Sequence, residues 1–446
     1  MQIDLTTGHE GRKIVRFSLP IFAGALIQQG FNTVDAWIVG NAIGVPGLAA
    51  VGISFPVMTL IAAILIGLGS GTEILVAQAI GRKDNEELRR VTDTLLTGIL
   101  LTSLVLGLVG FLLTEKLLML LQTPADVFAD AAAYLKIIFI GLFGLAGYHT
   151  LNGMIRATGN SLVPLIFLGI SAMINVVLDV IFVWVMEWGT AGAAWATILA
   201  QGMAFLACVI YTHRRLPEMK YHPFHLQWSG AAFQSGLRLG LPSSILQGSV
   251  SLGRMVIQAL VNGFGGSAAA AYSLGMRLDS FASIPIVNFG LAMTTFAGQN
   301  VGAGAYDRIR RGERFAIRVG WGICTFLLVI IWLFGESIAA WFIEDKQVVA
   351  MATNYLRYVS AGYFFASTYT IMHGVMKGTG NTVTPMWIMI FGNIVLRVAL
   401  AAGLSPKMGI DGIWAAIPIG WFIAFLLTIG YSKRNPSHEV RQSEGE

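Results

Sequence analysis

The chain has 446 residues, of which 55% are hydrophobic and only 12% charged. A soluble chain of this size normally carries about 25% charged residues, so that composition excludes an ordinary soluble domain. The net charge of +5 is modest and gives no reason to expect a nucleic-acid partner.

In chain order, apolar runs of the length that crosses a bilayer as helix recur at 14–39, 47–75, 91–113, 132–155, 162–186 and 190–212. They resume at 236–262, 268–297, 315–335, 352–375, 384–403 and 411–432, which predicts an all-α polytopic membrane protein with twelve transmembrane helices. The first run is too long for a signal-peptide core, and no small-residue cleavage site follows it, so it is expected to stay as a helix. Cys208 and Cys324 lie in apolar runs, without metal-ligand spacing, and read as buried, inert thiols.

Lys and Arg fall on alternate connections. Arg82, Lys83, Arg89 and Arg90 follow the second run, and Arg308, Arg310, Arg311 and Arg314 follow the eighth, whereas the opposite connections hold Lys116, Lys346 and Lys407. By the positive-inside rule both termini are expected in the cytoplasm, in a multi-pass protein of the cell membrane.

The sequence repeats itself. "AQAIGRKDNEELRR" (77–90) returns as "GQNVGAGAYDRIRR" (298–311), with Gln78, Gly81, Arg89 and Arg90 falling on Gln299, Gly302, Arg310 and Arg311, an offset of 221 (299 − 78). The same offset carries "YLKIIFIG" (134–141) onto "YLRYVSAG" (355–362), and "NGMIRATGNSLVP" (152–164) onto "HGVMKGTGNTVTP" (373–385). A six-helix unit has been duplicated. Because six is even, the halves enter the membrane in the same sense, as parallel repeats forming two lobes around a central cavity. The expected divisions are a first lobe at 1–212, a cytoplasmic loop at 213–235, a second lobe at 236–432 and a cytoplasmic tail at 433–446.

Acids inside such helices are costly and mark functional positions. Asp35 stands in "GFNTVDAWIVG" near the outer end of helix 1, and Asp179 in "INVVLDVIFV" at a similar depth in helix 5. Asn175 is one turn before Asp179, on the same face, and Thr197 on helix 6 reaches the same depth. The second half departs here: Asn175 maps to Asn393, but Asp179 maps to Arg397, and "RMVIQAL" (254–260) has no acid where Asp35 would fall. Two carboxylates, an amide and a hydroxyl can hold a hard cation such as Na⁺ or share a proton. No other cofactor is expected. Pro20, low in helix 1, reads equally as a hinge or as a static kink. Asp279, with Arg254 and Arg277 at similar depth, reads as a structural ion pair. His213, His222 and His225 sit in the basic loop and are expected to be solvated. Met and aromatic residues, among them Trp37, Met173, Trp184, Trp195 and Met203, suit an adaptable binding wall.

The ordered set of "SLP" opening helix 1, "VDAWIVG" closing it, "GNxxxP" after helices 4 and 10, and Gln-x-x-Gly after helices 2 and 8 resembles the multidrug and toxic compound extrusion (MATE) family over nearly the whole chain. The resemblance implies an antiporter that expels amphipathic, mostly cationic compounds in exchange for H⁺ or Na⁺, and no enzyme. Within the family the chain looks most like the DinF-type branch. That likeness implies a coupling site at Asp35, Asn175, Asp179 and Thr197, a bend at Pro20, and cavity residues at Gln28, Tyr134 and Asn152. Expected partners are amphipathic small molecules and membrane lipids, with the single chain working as a monomer. The other reading of the same fold is a flippase for a lipid-linked precursor, whose cavity should be lined with Arg and Lys; Arg254, Arg277 and Arg397 are its candidates.

Overall fold

A computed structural model describes residues 3–221 and 227–435. The described residues form long helices in chain order: α1 Glu10–Ala42, α2 Gly44–Arg82, α3 Asn85–Leu120, α4 Ala125–Ala157, α5 Leu162–Val185 and α6 Gly189–Arg215. The second half supplies α7 Gly230–Asn262, α8 Gly266–Gly302, α9 Tyr306–Ala340, α10 Lys346–Gly378, α11 Val383–Met408 and α12 Ile410–Arg434. His222 and His225 lie outside the described residues.

Eleven of these helices are long and apolar enough to cross a membrane. The exception is α10, expected as a span at 352–375. Its composition is diluted by Thr353, Ser360, Ser367, Thr368 and His373, which are buried inside its own half of the protein. Lipid never meets those side chains, so the helix tolerates them.

The chain divides into two compact units. One contains Leu19–Ser244 and the residues up to Asp4; the other contains Leu5–Ser18 and the chain from Ile245. These limits differ in detail from lobes drawn at the connecting loop, because α1 and α7 each belong to both units. Within the second unit the foot of α1 is held by Arg308, which donates from Nε to the carbonyl of Leu5 at 3.1 Å and from Nη2 to that of Thr7 at 2.7 Å. Arg311 adds an ion pair to Glu10 at 2.8 Å. Within the first unit the foot of α7 lies against α2, where Ser244 Oγ donates to the carbonyl of Ile64 at 3.0 Å. Pro20 and Pro242 lie inside these two continuous helices, each within two residues of the crossover.

The repeated "TGN" is scaffold. Gly159 ends α4 with φ +83°, and Gly380 ends α10 with φ +96°, a left-handed conformation that a residue with a Cβ rarely adopts. The next residue then caps the following helix. Asn160 Oδ1 accepts from the Val163 N–H at 3.2 Å while its Nδ2 donates to Tyr211 Oη at 3.0 Å. Asn381 repeats both bonds, to Thr384 N–H at 3.1 Å and to Tyr431 at 2.9 Å. After α2, Asp84 caps α3 by accepting the Glu87 N–H at 2.9 Å, the ordinary role of an acid at a helix start.

Candidate functional site

The first unit gathers the four residues expected to act together. Helix α5 is α-helical through Asp179 and then widens into a π-helical segment at Val180–Val185, a distortion often found at functional sites. Ser171, Asn175 and Asp179 recur every fourth residue on one buried face, at 3%, 4% and 0% exposure. The Asn175 side chain links two neighbours in the orientation that satisfies both: its nitrogen donates to Asp179 Oδ2 at 3.2 Å, and its oxygen accepts from the Thr197 N–H at 3.1 Å. Thr197 therefore meets Asn175 through its backbone, while its hydroxyl donates to the Ala193 carbonyl at 2.9 Å.

Asp35, from α1, brings its carboxyl within hydrogen-bonding reach of the Asp179 carboxyl. Two ionised carboxylates so close repel each other, and a shared proton or a small cation removes that repulsion. The other oxygen of Asp179, Oδ1, is buried with no hydrogen-bond partner among the described residues. Tyr134, buried on α4, lies within electrostatic reach of both acids. Trp37 and Trp184 meet edge to face at 5.8 Å and tie α1 to α5 near this site.

Beside the acids is a small, partly open recess lined by Gln28, Phe31, Ser171, Asn175, Thr197 and Gln201 among others. Gln28 of the expected cavity set is in this lining. Tyr134, Asn152 and Met173 are not. Asn152 is buried and accepts from Arg156 Nη1 at 2.5 Å, while Arg156 also pairs with Glu73 at 2.8 Å. Met173 is 72% exposed. Gln201, like Phe31 and Ser171, is a lining residue that the sequence reading passed over. Its signal was a lone amide one turn after Thr197 in an otherwise apolar helix.

The second unit is built differently at the matching depth. Asp279 and the arginines were expected to pair, yet among the described residues no ion pair joins Asp279 to Arg254, Arg277 or Arg397. Asp279 Oδ1 instead accepts from Tyr363 Oη at 2.7 Å and from Ser283 Oγ at 3.4 Å. Arg397 donates to Asn393 Oδ1 at 2.6 Å, with its guanidinium 5.7 Å from the centre of the Trp421 ring. Hydroxyls thus serve Asp279, while Arg397 meets an amide and an aromatic face and keeps a buried Nε without a hydrogen-bond partner among the described residues.

The MatE family model matches residues 20–181 and again 242–402, one match in each half of the repeat. The chain belongs to the MatE family. It is 30% identical over 428 residues to the probable multidrug resistance protein YpnP of Bacillus subtilis (strain 168), covering 94% of each chain. Identity to the probable multidrug resistance protein NorM of Thermotoga maritima is 25%, over 90% of this chain and 88% of that one. A crystal structure of MATE in complex with MaL6 superposes with a TM-score of 0.91 over 97% of this chain and 98% of that one, at 24% identity, and so shares the fold. This MatE protein is thus a multi-pass membrane transporter for small molecules and not an enzyme. Its fold is that of the family's solved structures.

Proposed function

We propose that this transporter is an antiporter that exports amphipathic, mostly cationic compounds in exchange for H⁺ or Na⁺, by alternating access. The observation that carries the reading is the Asp35–Asp179 pair. Two carboxylates within hydrogen-bonding reach, one with an unpartnered oxygen, favour a bound positive charge. Proton, Na⁺ and an organic cation can all supply it, and what one occupies the others are denied. Release of the coupling ion leaves the pair negative and receptive to a cationic substrate; return of the ion expels that substrate. The oxygens of Asp35, Asp179, Asn175 and Thr197 are suitable for a hard cation, and no sulfur ligand stands among them. In this reading the protein works in the cell membrane as a monomer with both termini in the cytoplasm, the side on which the basic connections fall.

Equilibrium binding of a fluorescent organic cation to purified protein, at several pH values and Na⁺ concentrations, tests the exchange. Affinity should fall as pH is lowered, or as Na⁺ is raised, with unchanged binding capacity. An affinity indifferent to both ions would contradict exchange at this site.

A further inference from the structure

We infer that the exposed face of α9 at Arg314, Arg318 and Trp321 seats the phosphate of an anionic phospholipid, at the membrane surface on the side of the basic connections. The inference stands apart from the export reading. The repeat supplies an internal comparison, because α3 and α9 start 221 residues apart (306 − 85), the offset of the sequence repeat. Near its start α3 is covered by the chain that follows α6. The Gln227 N–H donates to Asp93 Oδ2 at 3.3 Å. Thr94 Oγ1 donates to the Gln227 carbonyl at 3.1 Å and accepts the Ser229 N–H at 3.0 Å. The Thr97 and Tyr221 hydroxyls stand 3.1 Å apart. Leu216 and Met219 of the same connection are buried in one cluster with Leu88 and Val91. Residues 91–100 of α3 are therefore buried, save a half-buried Thr97.

On α9 the three anchoring positions read Arg314, Phe315 and Arg318, where α3 has Asp93, Thr94 and Thr97. Among the described residues no segment lies over this face: Arg314 and Arg318 are exposed, and Trp321 keeps 47% of its surface exposed. The spacing of four and three residues puts all three on one side of the helix. Among the described residues neither guanidinium has an ion pair. Glu313 is within electrostatic reach of Arg314 without pairing with it, and Glu10 is taken by Arg308 and Arg311. Trp321 Nε1 donates to Thr368 Oγ1 at 2.9 Å, which fixes the ring beside α10. The apolar run of this helix begins at 315, so the two arginines straddle the membrane boundary, where long cationic side chains reach the level of the lipid phosphates. An exposed Arg at that depth is costly without a partner, and a guanidinium holds phosphate through two parallel N–H donors. A zwitterionic phospholipid brings its own cation to its phosphate. An anionic one leaves that charge to the two arginines, so the face suits phosphatidylglycerol over phosphatidylcholine.

The test is native mass spectrometry of the purified protein after incubation with equal amounts of phosphatidylglycerol and phosphatidylcholine. In wild type the singly lipidated species should carry phosphatidylglycerol about twentyfold more often, each guanidinium accounting for about fivefold. Arg314→Gln and Arg318→Gln should each lower the preference about fivefold, and the double variant should bring it close to one. Arg90→Gln removes the same charge at the matching end of α3 and should leave the preference unchanged. Because each ratio is read on one protein sample, partial misfolding of a variant does not alter it. Excess inorganic phosphate should leave the ratio as it is; a ratio abolished by phosphate would give the site to the free anion and overturn the lipid assignment. A wild-type ratio in the double variant, no preference in wild type, or an equal drop in Arg90→Gln would overturn the site itself. A preference that appears only after residues 436–446 are removed would give the face to that segment, which holds Glu439, Glu444 and Glu446, and would overturn the lipid assignment too.

Discussion

At the scale of single residues, the site depends on how few donors serve Asp179. Asn175 supplies one of them and also receives the Thr197 N–H. Replacing it with Leu, of similar size, strips a buried carboxylate of a hydrogen bond, a loss of about 1–3 kcal/mol. Asn175→Leu should therefore slow ion-driven export by about tenfold or more and lower the thermal midpoint by a few degrees. Full export activity in the Leu variant would remove Asn175 from the site. The sequence displayed this group through spacing alone, because Asn175 and Asp179 stand four apart and the mapped position in the other half carries Arg397. It could not display that Thr197 meets Asn175 through its backbone, since any residue type has that N–H. Nor could it show the π-helical segment after Asp179, where the run "VIFVWV" reads as plain apolar helix.

At the scale of helices, the two halves share their connections and differ in their centres. The turn after α4 and the turn after α10 are the same device, with a left-handed Gly, an Asn that caps the next helix, and a Tyr held from a third helix. A motif that repeats in both halves is more easily explained by folding than by ion exchange. Asn160→Ala and Asn381→Ala should each cost about 1–2 kcal/mol, seen as similar drops in the thermal midpoint, with the ion dependence of export unchanged. A change of coupling ion in Asn160→Ala would show that the turn reaches the site. Helix α10 shows why hydropathy alone misjudges a span: its polar residues are hidden by protein, and a sequence window cannot tell a side chain facing protein from one facing lipid. Asp279 carries the same lesson. Opposite charges at one depth suggested an ion pair, but the carboxylate is met by Ser283, one turn along its own helix, and by Tyr363 from α10, a position that no spacing rule connects to it.

At the scale of the whole molecule, duplication was legible because one offset served almost a hundred residues, and each half of the described residues carries six long helices. The exchange of helix feet was not legible. Leu5–Ser18 belongs with the second unit, where Glu10 pairs with Arg308 and Arg311 and where Arg308 also donates to the backbone carbonyls of Leu5, Thr7 and Gly8, groups that every residue type carries and that leave no mark in sequence. In each of α1 and α7 a proline lies beside the crossover, so the candidate hinge at Pro20 has a counterpart at Pro242. Among the described residues one such acid pair, Asp35 and Asp179, stands in the first unit, and coupling is proposed to rest on it. The most direct measurement is uphill efflux of a fluorescent organic cation from proteoliposomes under imposed pH or Na⁺ gradients, for wild type and Asp35→Asn. One gradient should drive wild-type efflux, and the folded Asn variant should not concentrate the cation under either gradient. Undiminished uphill efflux by Asp35→Asn would contradict the account and place coupling elsewhere in the chain.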